Sequence, residues 1–143
     1  MMHLKRLAAL LIAALLLWGA TGCAARETQV EDILVAQVGN FERSSGPSHD
    51  PETGVDFAIY RGGSGEVTLR ARRVGEENID HALSQLPLAA TDVRYDPGLG
   101  PRSGLFFNFA GGYHAAWGNG AWVFVLSSNS EDARAAFLAA YSY

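Results

Sequence analysis

The chain has 143 residues, 15 acidic against 11 basic, a formal charge of −4 and a single cysteine. A polypeptide of this length builds one core rather than two, its acidic balance argues against a nucleic-acid partner, and a lone thiol leaves no internal disulfide. The first element in the chain is a basic start, Lys5 and Arg6, followed over residues 7–17 by Leu-Ala-Ala-Leu-Leu-Ile-Ala-Ala-Leu-Leu-Leu. That run has the length of a secretory h-region and falls short of the roughly 20 apolar residues that span a bilayer. It ends at Trp18-Gly19, and Ala20-Thr21-Gly22 then leads into Cys23.

This arrangement resembles the signal of bacterial lipoprotein precursors, whose lipobox closes on a small residue and the cysteine that is lipidated. The resemblance covers the first 23 residues and implies a signal peptide over 1–22, a lipidated tether over 23–27 and a single domain over 28–143. It further implies a thioether-linked diacylglycerol on Cys23 and another acyl chain, of the palmitate type, on the new amino group. At about 0.8 kcal/mol per buried methylene, more than one chain makes such an anchor stable. Beyond residue 22 the cations are nine arginines against all fifteen acidic residues, a formal charge of −6. The acyl chains are therefore the expected membrane contact, and a basic patch is not. Ala24 stands where Asp would mark inner-membrane retention. The resemblance thus implies the periplasmic face of the outer membrane in a cell with two membranes, and the outer face of the plasma membrane in a cell with one.

After the tether, Thr28-Gln29-Val30-Glu31 has capping-box spacing, and Val30, Ile33, Leu34, Val38 and Phe41 follow at nearly helical intervals, which predicts a short N-terminal helix. Residues 42–54 are rich in Ser, Gly, Pro and acid without periodicity and read as a loop. Two strand-turn-strand-helix units are then expected. In the first, over 55–88, Val55, Phe57 and Ile59 alternate ahead of Gly62-Gly63-Ser64-Gly65, and Val67, Leu69 and Ala71 alternate after it. Pairing Ile59 with Val67 places both apolar sets on one face and Asp56 opposite Arg70 on the other, around a three-residue loop. Ile79, Ala82, Leu83 and Leu86 then share a helix face that Pro87 ends. Leu105, Phe107 and Phe109 predict one more strand after the turn-rich 96–101 segment.

The second unit, over 112–143, turns at Asn119-Gly120, which suits a tight hairpin. Its helix opens on Ser128-Asn129-Ser130-Glu131 and repeats the apolar spacing at Ala133, Ala136, Phe137 and Ala140. Two such units predict an α+β fold: a two-layer sandwich whose antiparallel sheet carries both helices on one face, plus the short N-terminal helix.

In the second hairpin the turn would set Trp117 opposite Trp122 and build an aromatic ladder with Tyr113, while His114, Ala116, Val123 and Val125 make the reverse face mostly apolar as well. Both faces need cover, from the helices or from a partner or ligand. Tyr113, His114, Trp117 and Trp122 are accordingly the candidate binding surface. No metal or other cofactor is expected: His49, His81 and His114 lack ligand spacing, and Asp50, Glu52 and Asp56 lack the alternation and closing Glu of a calcium loop. Gly62 to Gly65 precedes a strand where a phosphate loop would precede a helix. Ser103 has no evident His and acid partners, so no catalytic residue is assigned. The leading functional reading is a non-catalytic, lipid-anchored envelope protein that binds another envelope component. The alternative is a carrier or sensor of a small hydrophobic ligand, and a hydrolase built on Ser103 or His114 comes third.

Overall fold

The computed structural model describes residues 27–85, 89–96 and 104–143. The signal segment, Cys23, Leu86, Pro87 and Ser103 lie outside the described residues. Among those residues the dominant element is one open antiparallel sheet of eight strands: β1 (Gln37–Val38), β2 (Phe41–Asp50), β3 (Val55–Gly62), β4 (Gly65–Arg73), β5 (Thr91–Asp96), β6 (Gly104–Phe109), β7 (Gly112–Asn119) and β8 (Trp122–Ser128). The strand order is β1-β2-β3-β4-β8-β7-β6-β5, so two four-stranded meanders meet along β4 and β8. Helices are short: α1 (Val30–Ile33), a 3-10 turn (Glu76–Asn78) leading into α2 (Ile79–Leu83), and α3 (Glu131–Ala140).

This sheet corrects the expected two-layer α+β sandwich. Both strand-turn-strand segments form hairpins, but six residues of β5 and ten of β2 add to them, and the helices do not share a face. Phe137 of α3 packs on Tyr60 and Phe41, on the face that also carries Leu69, Phe124, Leu126 and Trp117. Ile79 of α2 instead lies against Gly118 on the opposite face. The reason is the composition of β7 and β8. Both of their faces are apolar, so two helices on one side would leave Ala116, Val123 and Val125 in water.

The register of the first hairpin is also corrected. Ile59 faces Thr68, Tyr60 faces Val67, and Asp56 faces Ala71 around a two-residue Gly63-Ser64 loop. Ala58 and Tyr60 therefore join Val67, Leu69 and Ala71 in the core, while Phe57 and Ile59 share the second face with Thr68, Arg70 and Arg72. Strand β3 is apolar at four consecutive positions, Phe57 to Tyr60, so alternation did not specify which set would be buried. Tyr60 is suited to the inner position because its hydroxyl donates to the Val35 carbonyl at 3.0 Å while its ring fills the space under α3.

In the second hairpin Trp117 faces Phe124, and Asn119 faces Trp122. The tight turn is Gly120-Ala121, with Gly120 alone in the left-handed region at φ 56°, the signature of a turn whose first central residue is glycine. The sequence pairing of Trp117 with Trp122 is off by two residues, which preserves the face. The N-terminal helix stops at Ile33; Val38 and Phe41 belong to strands, and the residues expected as a loop from 42 form most of β2. Their lack of apolar alternation reflects mostly exposed side chains on a strand held by backbone pairing and interrupted by register shifts at Arg43/Ser45 and Ser45/Ser48. The α3 cap is Ser130, whose hydroxyl accepts from the Ala133 N–H at 3.2 Å, while Ser128 accepts from the Ser130 N–H at 3.1 Å.

The main core lies between the first face and a cover made of α1, α3 and the C-terminal Tyr141 and Tyr143. Two tyrosines inside it carry a pH signature. Burial pushes the Tyr60 hydroxyl from 10.0 up to about 12, and it raises Tyr141, whose hydroxyl donates to the Ile33 carbonyl at 2.8 Å. A raised phenol favours the protonated form in the folded chain, so the contribution is complete below pH 10 and is lost as pH climbs through about 12. The unfolding midpoint is expected to fall across that window in an alkaline denaturation series, and Tyr60→Phe should flatten the slope. An unchanged slope in the variant would show that Tyr60 is not buried as described.

Candidate functional site

The second face is where the sheet remains open. Successive pairing brings Phe107 of β6, His114 of β7, Ser127 of β8 and Thr68 of β4 into one row, and the adjacent row runs Leu105, Ala116, Val125 and Arg70. α2 covers part of this face with Ile79 and Leu83, the latter packing against a small cluster of Leu105, Phe107 and Ala116. Beside the helix is a cleft of about 290 Å³ lined by Leu83, Phe107, Phe109, Val123, Val125 and Arg70. A second groove of about 490 Å³ begins on the far side of the same polar residues and runs past Glu66 to the β6–β7 turn.

Arg70, Ser127 and His114 stand where the two grooves meet. The His114 Nε2 lies 3.1 Å from the Phe109 carbonyl oxygen, and its Nδ1 lies 2.9 Å from the Ser127 Oγ. A carbonyl only accepts, so Nε2 carries a hydrogen, and in the neutral imidazole Nδ1 then accepts from the serine hydroxyl. The Ser127 oxygen then accepts from Arg70 Nη1 at 3.3 Å. The imidazole is further held by stacking on Phe107, with centroids 5.1 Å apart and planes 13° apart. From the other face, the buried Arg134 donates to the His114 backbone carbonyl at 3.0 Å and to Glu131 Oε1 at 3.1 Å. Burial pulls the Arg134 guanidinium below its ordinary value, and Glu131 opposes that pull. Its charge also lies over Phe106 at 4.8 Å.

No protein-family model, curated protein or solved structure matches this chain.

The residues singled out from sequence are distributed as follows. Trp117 is 1% exposed and Trp122 7%; Trp117 stacks on Phe124 at 5.2 Å and its Nε1 donates to the Tyr143 carbonyl at 3.1 Å. Tyr113 and His114 are half-buried and point to opposite faces, Tyr113 beside Arg134 on the first and His114 into the groove on the second. Cys23 lies outside the described residues. His49 pairs with Asp56 at 2.7 Å on the β2–β3 hairpin, and His81 sits on α2. Asp50 accepts from the Thr53 hydroxyl and the Glu52 N–H, which hold its carboxyl below the ordinary value. Among the described residues no three His, Cys, Asp or Glu side chains gather as a metal site, and no helix is long and apolar enough to cross a membrane.

Arg70, Ser127, Phe107 and Phe109 were not identified as site residues from sequence. Arg70 and Ser127 are 57 positions apart and meet only through the β4–β8 pairing. The available signal was indirect: a second hairpin apolar on both faces, next to a strand whose outward positions are arginine.

Proposed function

We propose that this chain is a lipid-anchored cell-envelope protein whose domain holds a small hydrophobic ligand, as a carrier or sensor. The observation that carries the reading is the apolar cleft of about 290 Å³ under α2, close to the size at which small-molecule pockets begin, roughly 300 Å³. It occurs on the sheet face opposite the main core, which α2 covers only in part, while Trp117 and Trp122 are spent on the core. The anchor rests on the basic start, apolar run and Ala20-Thr21-Gly22-Cys23 segment.

A non-catalytic role is favoured over acyl transfer by the setting of Ser127. Its strand is paired on both sides, to β4 and to β7, so the backbone N–H groups around it are used by the sheet. The strand that carries Ser127 therefore has no pair of free N–H donors to give a tetrahedral oxyanion.

Two measurements test the proposal. Cys23→Ala is expected to abolish palmitate incorporation and shift the protein out of the membrane fraction; retention of both label and location would remove the anchor. Native mass spectrometry of the protein extracted from its membrane should detect a bound small molecule that is lost in Leu83→Glu, which sets a charge in the apolar cleft. An empty wild-type protein, or a ligand unaffected by Leu83→Glu, would refute the carrier reading.

A second reading is supported by a separate observation. The outer edge of the sheet is β5, where Val93 is 47% exposed and Tyr95 76% exposed. An edge strand offers unpaired N–H and C=O groups to another chain, so a protein partner of the envelope would engage β5. Cross-linking in the native envelope should then yield a discrete adduct that Tyr95→Glu removes. An adduct that survives this substitution would exclude the β5 edge as the contact.

A further inference from the structure

We infer that the ligand of the cleft is a small carboxylic acid, its apolar body under α2 and its carboxylate on the guanidinium of Arg70. The inference rests on the ligand-holding reading and adds the chemical class of the ligand.

Charge is the first argument. Among the described residues that line the apolar cleft, Arg70 is the single side chain of fixed charge. The neighbouring Glu66 belongs to the other groove and is ion-paired to Arg61 at 2.8 Å. In a chain with more acidic than basic residues, a cation at the mouth of an apolar cleft selects an anionic head attached to an apolar tail.

Geometry is the second. The hydrogen-bonded series runs from Arg70 to Ser127, from Ser127 to His114 and from His114 to the Phe109 carbonyl. It is directed throughout: each member donates to the next, and the terminal carbonyl has no hydrogen to give back. The Ser127 oxygen is thereby committed as an acceptor toward Arg70 and fixes one N–H of the guanidinium. A guanidinium has five N–H donors, so the remaining donors can meet both oxygens of a carboxylate in the forked geometry that arginine favours. Ser127 and His114 are thus positioning residues for Arg70.

Size is the third. A cleft of about 290 Å³ takes a short acyl chain or one aromatic ring, and the rings of Phe107 and Phe109 beside His114 offer an aromatic body a stacking surface. A long-chain lipid would exceed it.

The test is calorimetric titration of the lipidated protein in detergent micelles with 3-phenylpropionate and with 3-phenylpropan-1-ol, each corrected by a protein-free micelle blank. The acid is expected to bind about ten-fold tighter than the alcohol or more, the discrimination that a charge-assisted hydrogen-bond pair provides. Arg70→Gln should bring that ratio close to one, and Ser127→Ala should reduce it, while Leu83→Glu weakens both probes. Equal affinities in the wild type, or a preference for the acid that survives Arg70→Gln, would overturn the carboxylate assignment and leave the ligand-holding reading standing. Binding of neither probe would overturn the inference together with the reading it rests on. Far-UV circular dichroism of each variant must match the wild type, which the exposed position of Arg70 favours.

Discussion

Phe137→Ala is expected to destabilise the protein by about 3 to 5 kcal/mol, a large share of the roughly 5 to 15 kcal/mol that holds a domain folded. Phe137 is fully buried and is the ring by which α3 grips the sheet. It meets Phe41 edge-on at 5.4 Å and Tyr60 at 5.0 Å, and it stacks on Tyr141 at 5.6 Å. Removing it would leave a cavity at the point where strands β2 and β3, helix α3 and the C-terminal segment converge. Chemical denaturation followed by circular dichroism measures the cost directly. A loss below about 1 kcal/mol would mean that α3 does not pack on the sheet as described. Phe137→Leu, which keeps much of the apolar volume, should cost distinctly less.

Gly118→Ala should be destabilising by about 1 to 3 kcal/mol, the usual penalty for forcing extra volume into a packed site. A Cβ at residue 118 would stand 2.3 Å from the Ile79 Cγ2, too close for the branched side chain of a buried residue to yield without moving α2. The glycine is there for close approach, and its φ lies outside the left-handed region. A double-mutant cycle isolates the contact: in an Ile79→Ala background the added methyl should have little effect, because the clashing atom is gone. Additive losses would show that α2 does not rest on Gly118. The cycle bears on function too, since α2 forms one wall of the apolar cleft through Leu83. Displacing the helix should weaken both phenyl probes together, leaving their ratio to report on Arg70.

Much of the local structure was legible because it depends on nearest neighbours. The turn chemistry of Gly62 to Gly65 and of Asn119-Gly120 located both hairpins, apolar alternation located β6, and the spacing of Ala133 and Phe137 located α3. The signals that failed were those in which exposure or pairing, rather than periodicity, decides the outcome. Strand β2 presents largely exposed side chains, and its hydrogen bonds to β3 are invisible in a pattern of apolar residues. Strand β5 puts Val93 and Tyr95 in solvent at the sheet edge, where no core face selects its residues. The register of the first hairpin could not be chosen because both faces of β3 are apolar.

The candidate site was the least legible part, for the same reason. Of the four residues proposed as a binding surface, Trp117 and Trp122 are buried in the core, and His114 alone lines the clefts of the second face. His114 reads as an isolated histidine until Ser127 and Arg70 are placed beside it by two separate strand pairings.

Sequence patterning on its own located the two central hairpins to within a residue or two of their turns and marked β7 and β8 as apolar on both faces. Tertiary structure decided the rest: which side of β3 is buried, that α2 and α3 lie on opposite faces, and that a cleft remains with an arginine at its mouth. The division is physical. Turn chemistry and amphipathic spacing are properties of a few consecutive residues, whereas register and helix placement emerge from competition among distant surfaces for a limited amount of cover.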